Sequence, residues 1–133
     1  MTPATKILLV DDERLVLRSM EKTLLRAGFD VETAGDALTG LARFREALEA
    51  EEPFDLAILD LQMPGLDGRD SPSAGLELLG RLLEASPHLP VIVLTAFDEV
   101  GRAKEAVARG ARAYFVKGRE AELVEVVNRI LNS

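Results

Sequence analysis

The sequence predicts an α/β fold in which five parallel strands are covered on both faces by five helices. Three observations predict it. Short apolar runs alternate five times with longer segments whose apolar residues recur at helical spacing. The runs are continuous rather than alternating, as expected of strands buried on both faces of a parallel sheet. The 133 residues, 47% hydrophobic and 29% charged, contain no repeat, biased tract or linker. That fits a single domain over residues 1–133 with one sizeable core.

The elements follow in chain order. Ile7 to Val10 is the first run and stops at Asp11. Leu15, Val16, Met20, Leu24 and Leu25 then recur with helical period as far as Gly28, a plausible helix stop. Asp30 to Ala34 reads as a weaker strand. Asp36 can cap a helix carrying Leu38, Leu41, Phe44, Ala47 and Leu48. Phe54 to Leu59 is the third run and ends at Asp60. Leu61 to Ala74, with Pro64, Gly65, Gly68 and Pro72, is long for a strand-to-helix loop, and such loops are often functional. Gly75 to Ala85 reads as a helix with Leu76, Leu79, Leu82 and Leu83 on one face. Val91 to Leu94 stops at Thr95. Asp98 to Arg109 is amphipathic and ends at Gly110. Ala113 to Val116 stops at Lys117, and Glu120 to Leu131 closes the chain as a helix burying Leu123, Val127, Ile130 and Leu131.

Composition narrows the function. A net charge of −7 opposes phosphate backbones and anionic lipid heads, so direct nucleic-acid or membrane binding is not expected. Without cysteine there is no disulfide, thiolate chemistry or cysteine-based zinc site. The first apolar run is far too short for a signal-peptide core or a membrane span, so a cytoplasmic protein is expected. His88, the one histidine, lies between Pro87 and Pro90 and supports no histidine metal cluster.

The strand ends carry the chemistry. Ligands of an open parallel sheet bind outside the carboxyl ends of its strands. Asp11 and Asp12, Asp60, Thr95 and Lys117 all fall there. If the strands are neighbours, these residues converge on one small site. Three carboxylates together repel, so raised pKa values, a cation or both must compensate. Lys117 supplies one positive charge, and Mg²⁺ suits the rest because it takes oxygen ligands. A carboxylate beside a metal can accept a phosphoryl group as an aspartyl phosphate. Taken singly, each residue has a plainer reading. Asp11 and Asp12 could cap a helix, Thr95 could cap a strand end, Lys117 could be a solvated charge, and Tyr114 could be a core aromatic.

Four pieces in order carry a family resemblance across Lys6 to Leu131. They are Ile7-Leu8-Leu9-Val10-Asp11-Asp12-Glu13, Asp60-Leu61-Gln62-Met63-Pro64-Gly65, Val91-Ile92-Val93-Leu94-Thr95-Ala96 and Tyr114-Phe115-Val116-Lys117. The chain resembles receiver domains of two-component response regulators. The resemblance implies a flavodoxin-like, doubly wound sheet in strand order 2-1-3-4-5, as in chemotaxis regulators. It implies that Asp60 is the phosphoacceptor, Asp12 a direct Mg²⁺ ligand, and Asp11 a carboxylate holding the metal partly through water. The backbone carbonyl of Gln62 matches a third protein ligand. Thr95 and Lys117 match the residues that hold the phosphoryl oxygens, and Tyr114 matches the aromatic whose rotamer follows phosphorylation.

The partners so implied are a sensor histidine kinase or phosphotransfer protein upstream and an effector protein or domain downstream. The output surface would be helix 4, strand 5 and helix 5, with a homodimer through it as one possibility. The domain would be a switch rather than an enzyme. Two departures stand out. Gly118 follows Lys117 where the family usually has proline, and Arg69 to Gly75 reads as an insertion beside the site. They keep open a second reading, a phosphorylation-independent interaction module. A phosphatase with its nucleophile after the first strand is less well matched, because Glu13 stands where a second aspartate would be wanted. No G-x-G-x-x-G or P-loop motif supports nucleotide binding.

Overall fold

The computed structural model describes residues 4–64, 70–71 and 73–133. Five strands form one parallel sheet: β1 (Lys6–Val10), β2 (Asp30–Ala34), β3 (Leu56–Asp60), β4 (Val91–Thr95) and β5 (Ala113–Val116). Their order is β2-β1-β3-β4-β5, so the chain winds outward in both directions from β1. Four helices connect them, α1 (Arg14–Arg26), α2 (Ala37–Glu49), α3 (Ala74–Ala85) and α4 (Val100–Ala108), and α5 (Glu120–Leu131) follows the last strand.

The two-residue period of the strands sorts the core into two layers. Ile7, Leu9, Leu56, Ile58, Ile92 and Leu94 point to one face, where α1 contributes Met20 and Leu24 and α5 contributes Leu123 and Val127. Leu8, Val10, Ala57, Leu59, Val91 and Val93 point to the other, beneath α2, α3 and α4. Both layers reach the central strands, so β3 and β4 are buried at every position. β2 lies at an edge and is only partly covered, which is why its sequence reads as the weakest strand.

Side-chain direction corrects several helix assignments. Leu15, Leu25 and Leu38, read above as apolar-face residues, are exposed at 83%, 48% and 53%. Leu17, left out of that stripe, packs on the α1–α5 layer. Period alone admits a wide apolar arc, and the helix's rotation against the sheet selects which part of it is buried. The segment read as one helix from Asp98 is broken by a 3₁₀ turn, Phe97–Glu99, before α4 begins at Val100. In the long loop, Met63–Pro64 pairs antiparallel with Asp70–Ser71 to make a two-residue ribbon. Gly65, Leu66, Asp67, Gly68, Arg69 and Pro72 lie outside the described residues.

Gly75 fastens α3 to the end of β3. A Cβ there would meet Leu61 Cα at 2.5 Å and the Asp60 carbonyl oxygen at 2.6 Å. Both obstacles are backbone, so no rotamer change relieves them. Gly75→Ala is expected to destabilise the fold by about 1–3 kcal/mol through overpacking. Urea unfolding checks this, and an unchanged midpoint would contradict the close approach.

Candidate functional site

In a parallel sheet all strands end on the same edge. The register places Asp60 beside Leu94 and Thr95 beside Val116, and the Lys117 N–H donates to the Thr95 carbonyl oxygen at 2.9 Å. Asp11 N–H continues the ladder beyond β1 by donating to Ala34 O at 3.1 Å. Asp60, Thr95 and Lys117 are thereby carried to one depression, whose lining also includes Asp12, Glu13 and Gln62, while the fully buried Asp11 pairs with Lys117. Lys117 and Asp11 are 106 residues apart in the chain, yet the Nζ of Lys117 donates to Asp11 Oδ1 at 3.2 Å.

Lys117 is the organising cation. Its Nζ also donates to Asp60 Oδ2 at 3.0 Å and to Glu13 Oε1 at 2.7 Å. Asp60 Oδ1 accepts from the Gln62 N–H at 3.2 Å, and Asp11 Oδ1 accepts from the Glu13 N–H at 2.8 Å. Burial and the neighbouring charge of Asp11 push the Asp60 carboxyl up to about 8, against the opposing pull of Lys117 and the Gln62 N–H. Burial likewise raises Asp11, with Glu13 N–H and Lys117 working against it. Burial disfavours the Lys117 ammonium, but its bond with Glu13 and the charges of Asp60 and Asp11 outweigh that and hold its pKa above the usual lysine value.

The donor set fits a hard divalent cation. Asp11, Asp12 and Asp60 each offer a carboxylate oxygen, all within 4.8 Å of one another, and Asp12 is exposed to the opening. Asp11 Oδ2 is fully buried and accepts no hydrogen bond, although Lys117 Nζ lies 3.1 Å away. A buried carboxylate oxygen without a donor is a group a cation would satisfy.

Thr95 is buried with its hydroxyl turned to the backbone, donating to Ala96 O at 3.2 Å and Glu99 O at 3.1 Å. Gln62 Nε2 donates to Glu99 Oε1 at 3.3 Å, joining the loops after β3 and β4 across the depression. Tyr114, on β5, is 39% exposed rather than a core aromatic. Gly118 has φ +100°, a conformation closed to proline and strained for other L-residues. The loop after Lys117 is thus built on a different backbone from the one a proline would impose. Sequence reasoning missed Glu13 and Glu99 as site residues. The run of three acids at 11–13 was the available signal for Glu13, and Glu99 had none.

The model of the response regulator receiver domain matches residues 7–128. The chain belongs to the response-regulator receiver family. It is 41% identical over 130 residues to the response regulator protein FleR of Pseudomonas aeruginosa, covering 95% of this chain and 24% of FleR. It is 37% identical over 131 residues to the DNA-binding transcriptional regulator NtrC of Azospirillum brasilense, covering 98% of this chain and 25% of that protein. Among solved structures it resembles a CheY-like receiver domain protein from Methanospirillum hungatei, with TM-score 0.81, 28% identity and coverage of 98% and 95%. A receiver domain from Clostridium thermocellum matches with TM-score 0.80, 30% identity and coverage of 96% and 94%. The chain therefore spans about a quarter of the length of FleR and NtrC. As a receiver domain it serves phosphoacceptance in two-component signalling, and the interaction-module alternative is not favoured. No described helix of this receiver domain is long and apolar enough to cross a membrane.

Proposed function

We propose that Asp60 is the phosphoacceptor of this receiver domain, serving a partner histidine kinase or phosphotransfer protein. The observation that carries this is a buried Asp60 carboxylate held 3.0 Å from Lys117 Nζ, with Asp11 and Asp12 oxygens within 4.8 Å. An Asp60 oxygen forms the new bond to phosphorus as the bond from phosphorus to the donor atom breaks, a histidine nitrogen of the kinase or an oxygen of acetyl phosphate, and the donor leaves with that bond's electron pair. Lys117 neutralises charge on the transferred group, and Thr95 supplies a hydroxyl once released from Glu99 O. Asp11, Asp12, Asp60 and the carbonyl of Gln62 would hold Mg²⁺. When bound, the ion supplies charge neutralisation at the phosphoryl oxygens and favours ionised Asp60.

The output surface in this reading is α4, β5 and α5, where Tyr114 and Val107 are each 39% exposed. Release of Thr95 toward the phosphoryl group leaves room that Tyr114 can enter, which changes that surface. An effector protein or domain, or a second copy of the chain, would read the change. The chain acts as a switch and not as a catalyst of turnover on a separate substrate.

The test is intact mass after incubation with Mg²⁺ and acetyl phosphate. One phosphoryl adduct is expected on the wild type, none without Mg²⁺ and none on Asp60→Asn. An adduct that survives on Asp60→Asn would move the acceptor elsewhere.

A further inference from the structure

Lys117 has no donor to spare. A lysine ammonium carries three N–H groups. Its Nζ bonds to Glu13 at 2.7 Å, to Asp60 at 3.0 Å and to Asp11 at 3.2 Å. A phosphoryl group on Asp60 takes over the donor that Asp60 held, since the phosphorylated carboxyl no longer carries the charge, and its dianion draws a second donor from one of the two remaining partners. Those two are not equal. The Asp11 side chain is fully buried, whereas the Glu13 side chain is 59% exposed. A buried carboxylate stripped of its cation is left uncompensated, while an exposed one regains water. The new phosphoryl dianion would also repel Glu13 directly.

We propose that Glu13 is a placeholder ligand of Lys117, a positioning residue that occupies the donor destined for the phosphoryl oxygen and is displaced when the group arrives. The proposal rests on Asp60 being the acceptor. No proton moves, since one N–H···O bond replaces another. Displacement also carries the event to a second place on the surface. Glu13 is the N-cap residue of α1, its carbonyl oxygen accepts from Leu17 N–H at 2.9 Å, and its side chain makes no cap bond. Its neighbour Leu15 is 83% exposed in the first turn of α1. Phosphorylation would therefore free a negative charge beside this apolar residue, well apart in sequence from α4 and β5.

The experiment compares wild type and Glu13→Gln in saturating Mg²⁺ and acetyl phosphate. It follows adduct formation by intact mass and the Glu13 side-chain carboxyl ¹³C resonance, assigned by its absence in the variant. Removing the placeholder is expected to speed phosphorylation about two- to fivefold, the scale of one half-exposed ion pair. The wild-type Glu13 resonance is expected to shift as the adduct forms. An adduct on the wild type with an unchanged Glu13 resonance overturns the displacement alone, even if the variant reacts faster, because charge removal would then explain the rate. A variant that reacts no faster also overturns it. No adduct on the wild type overturns the acceptor reading and the displacement together.

Discussion

In metal-free buffer containing a chelator, Asp60→Asn is expected to be more stable than the wild type at pH 8.5 and to lose that advantage near pH 4. The Asp60 carboxyl is raised to about 8 in the folded protein from an ordinary 3.8, first by burial and then by Asp11. Between those two values the folded chain holds a proton that the unfolded chain has lost. Stability from this group therefore falls as pH rises from about 4 to about 8, and the full penalty stands above that. Asparagine does not ionise, so its curve lacks this decline. One pKa unit corresponds to about 1.4 kcal/mol, and the loss of an acceptor for Lys117 offsets part of the gain. An advantage of at least about 1.4 kcal/mol, or about 4 °C in Tm, is expected at pH 8.5. Adding Mg²⁺ should shrink it, because binding to the wild-type carboxylates stabilises only their folded arrangement. Thermal melts from pH 4 to 8.5 decide the matter. Parallel curves for the two proteins would show that Asp60 ionises as an ordinary carboxyl.

Lys117→Met should act in the opposite sense and more strongly. Methionine keeps the length of the side chain but leaves Asp11 and Asp60 buried without their cation. Removing one partner of a buried ion pair costs about 3–5 kcal/mol when the other stays charged. That cost should be met at pH 8.5, above the raised value of Asp60, where its carboxylate is ionised in the wild type. It should be smaller at pH 5, because Asp60, raised to about 8, is largely neutral there. Urea unfolding at the two pH values measures the difference. An equal loss at both would assign Lys117 a packing role rather than an electrostatic one. Phosphoryl uptake should drop by at least about tenfold, since the group that neutralises the transferred charge is gone.

The strain of the site lies in its crowded carboxylates. Asp11, Asp12 and Asp60 are brought within 4.8 Å of one another, and one lysine serves the two that are buried. The protein accepts a less stable metal-free state, and so holds a pocket in which a cation and a phosphoryl group both have favourable partners. The sheet makes this possible. Every position of β3 and β4 is buried, and the apolar layers on both faces hold the strand ends in register against the repulsion.

Much of this was readable from the order of the residues. Ile7 to Val10, Leu56 to Leu59 and Val91 to Leu94 are continuous apolar runs because both faces of each strand meet a helix layer, and that demand is local enough to be written in every residue. Asp11, Asp12, Asp60, Thr95 and Lys117 stood out because parallel strands must all end on one edge. The strand order came from family resemblance, since no run of five apolar residues specifies its neighbour. Which leucines of α1 and α2 face solvent, the bond from Glu13 to Lys117 across 104 residues, the turn of the Thr95 hydroxyl toward Glu99 and the left-handed backbone at Gly118 belong to the tertiary structure. Each depends on the angle at which one element packs against another distant in the chain. A side chain's partner is chosen by that angle, and spacing along the sequence carries no record of it.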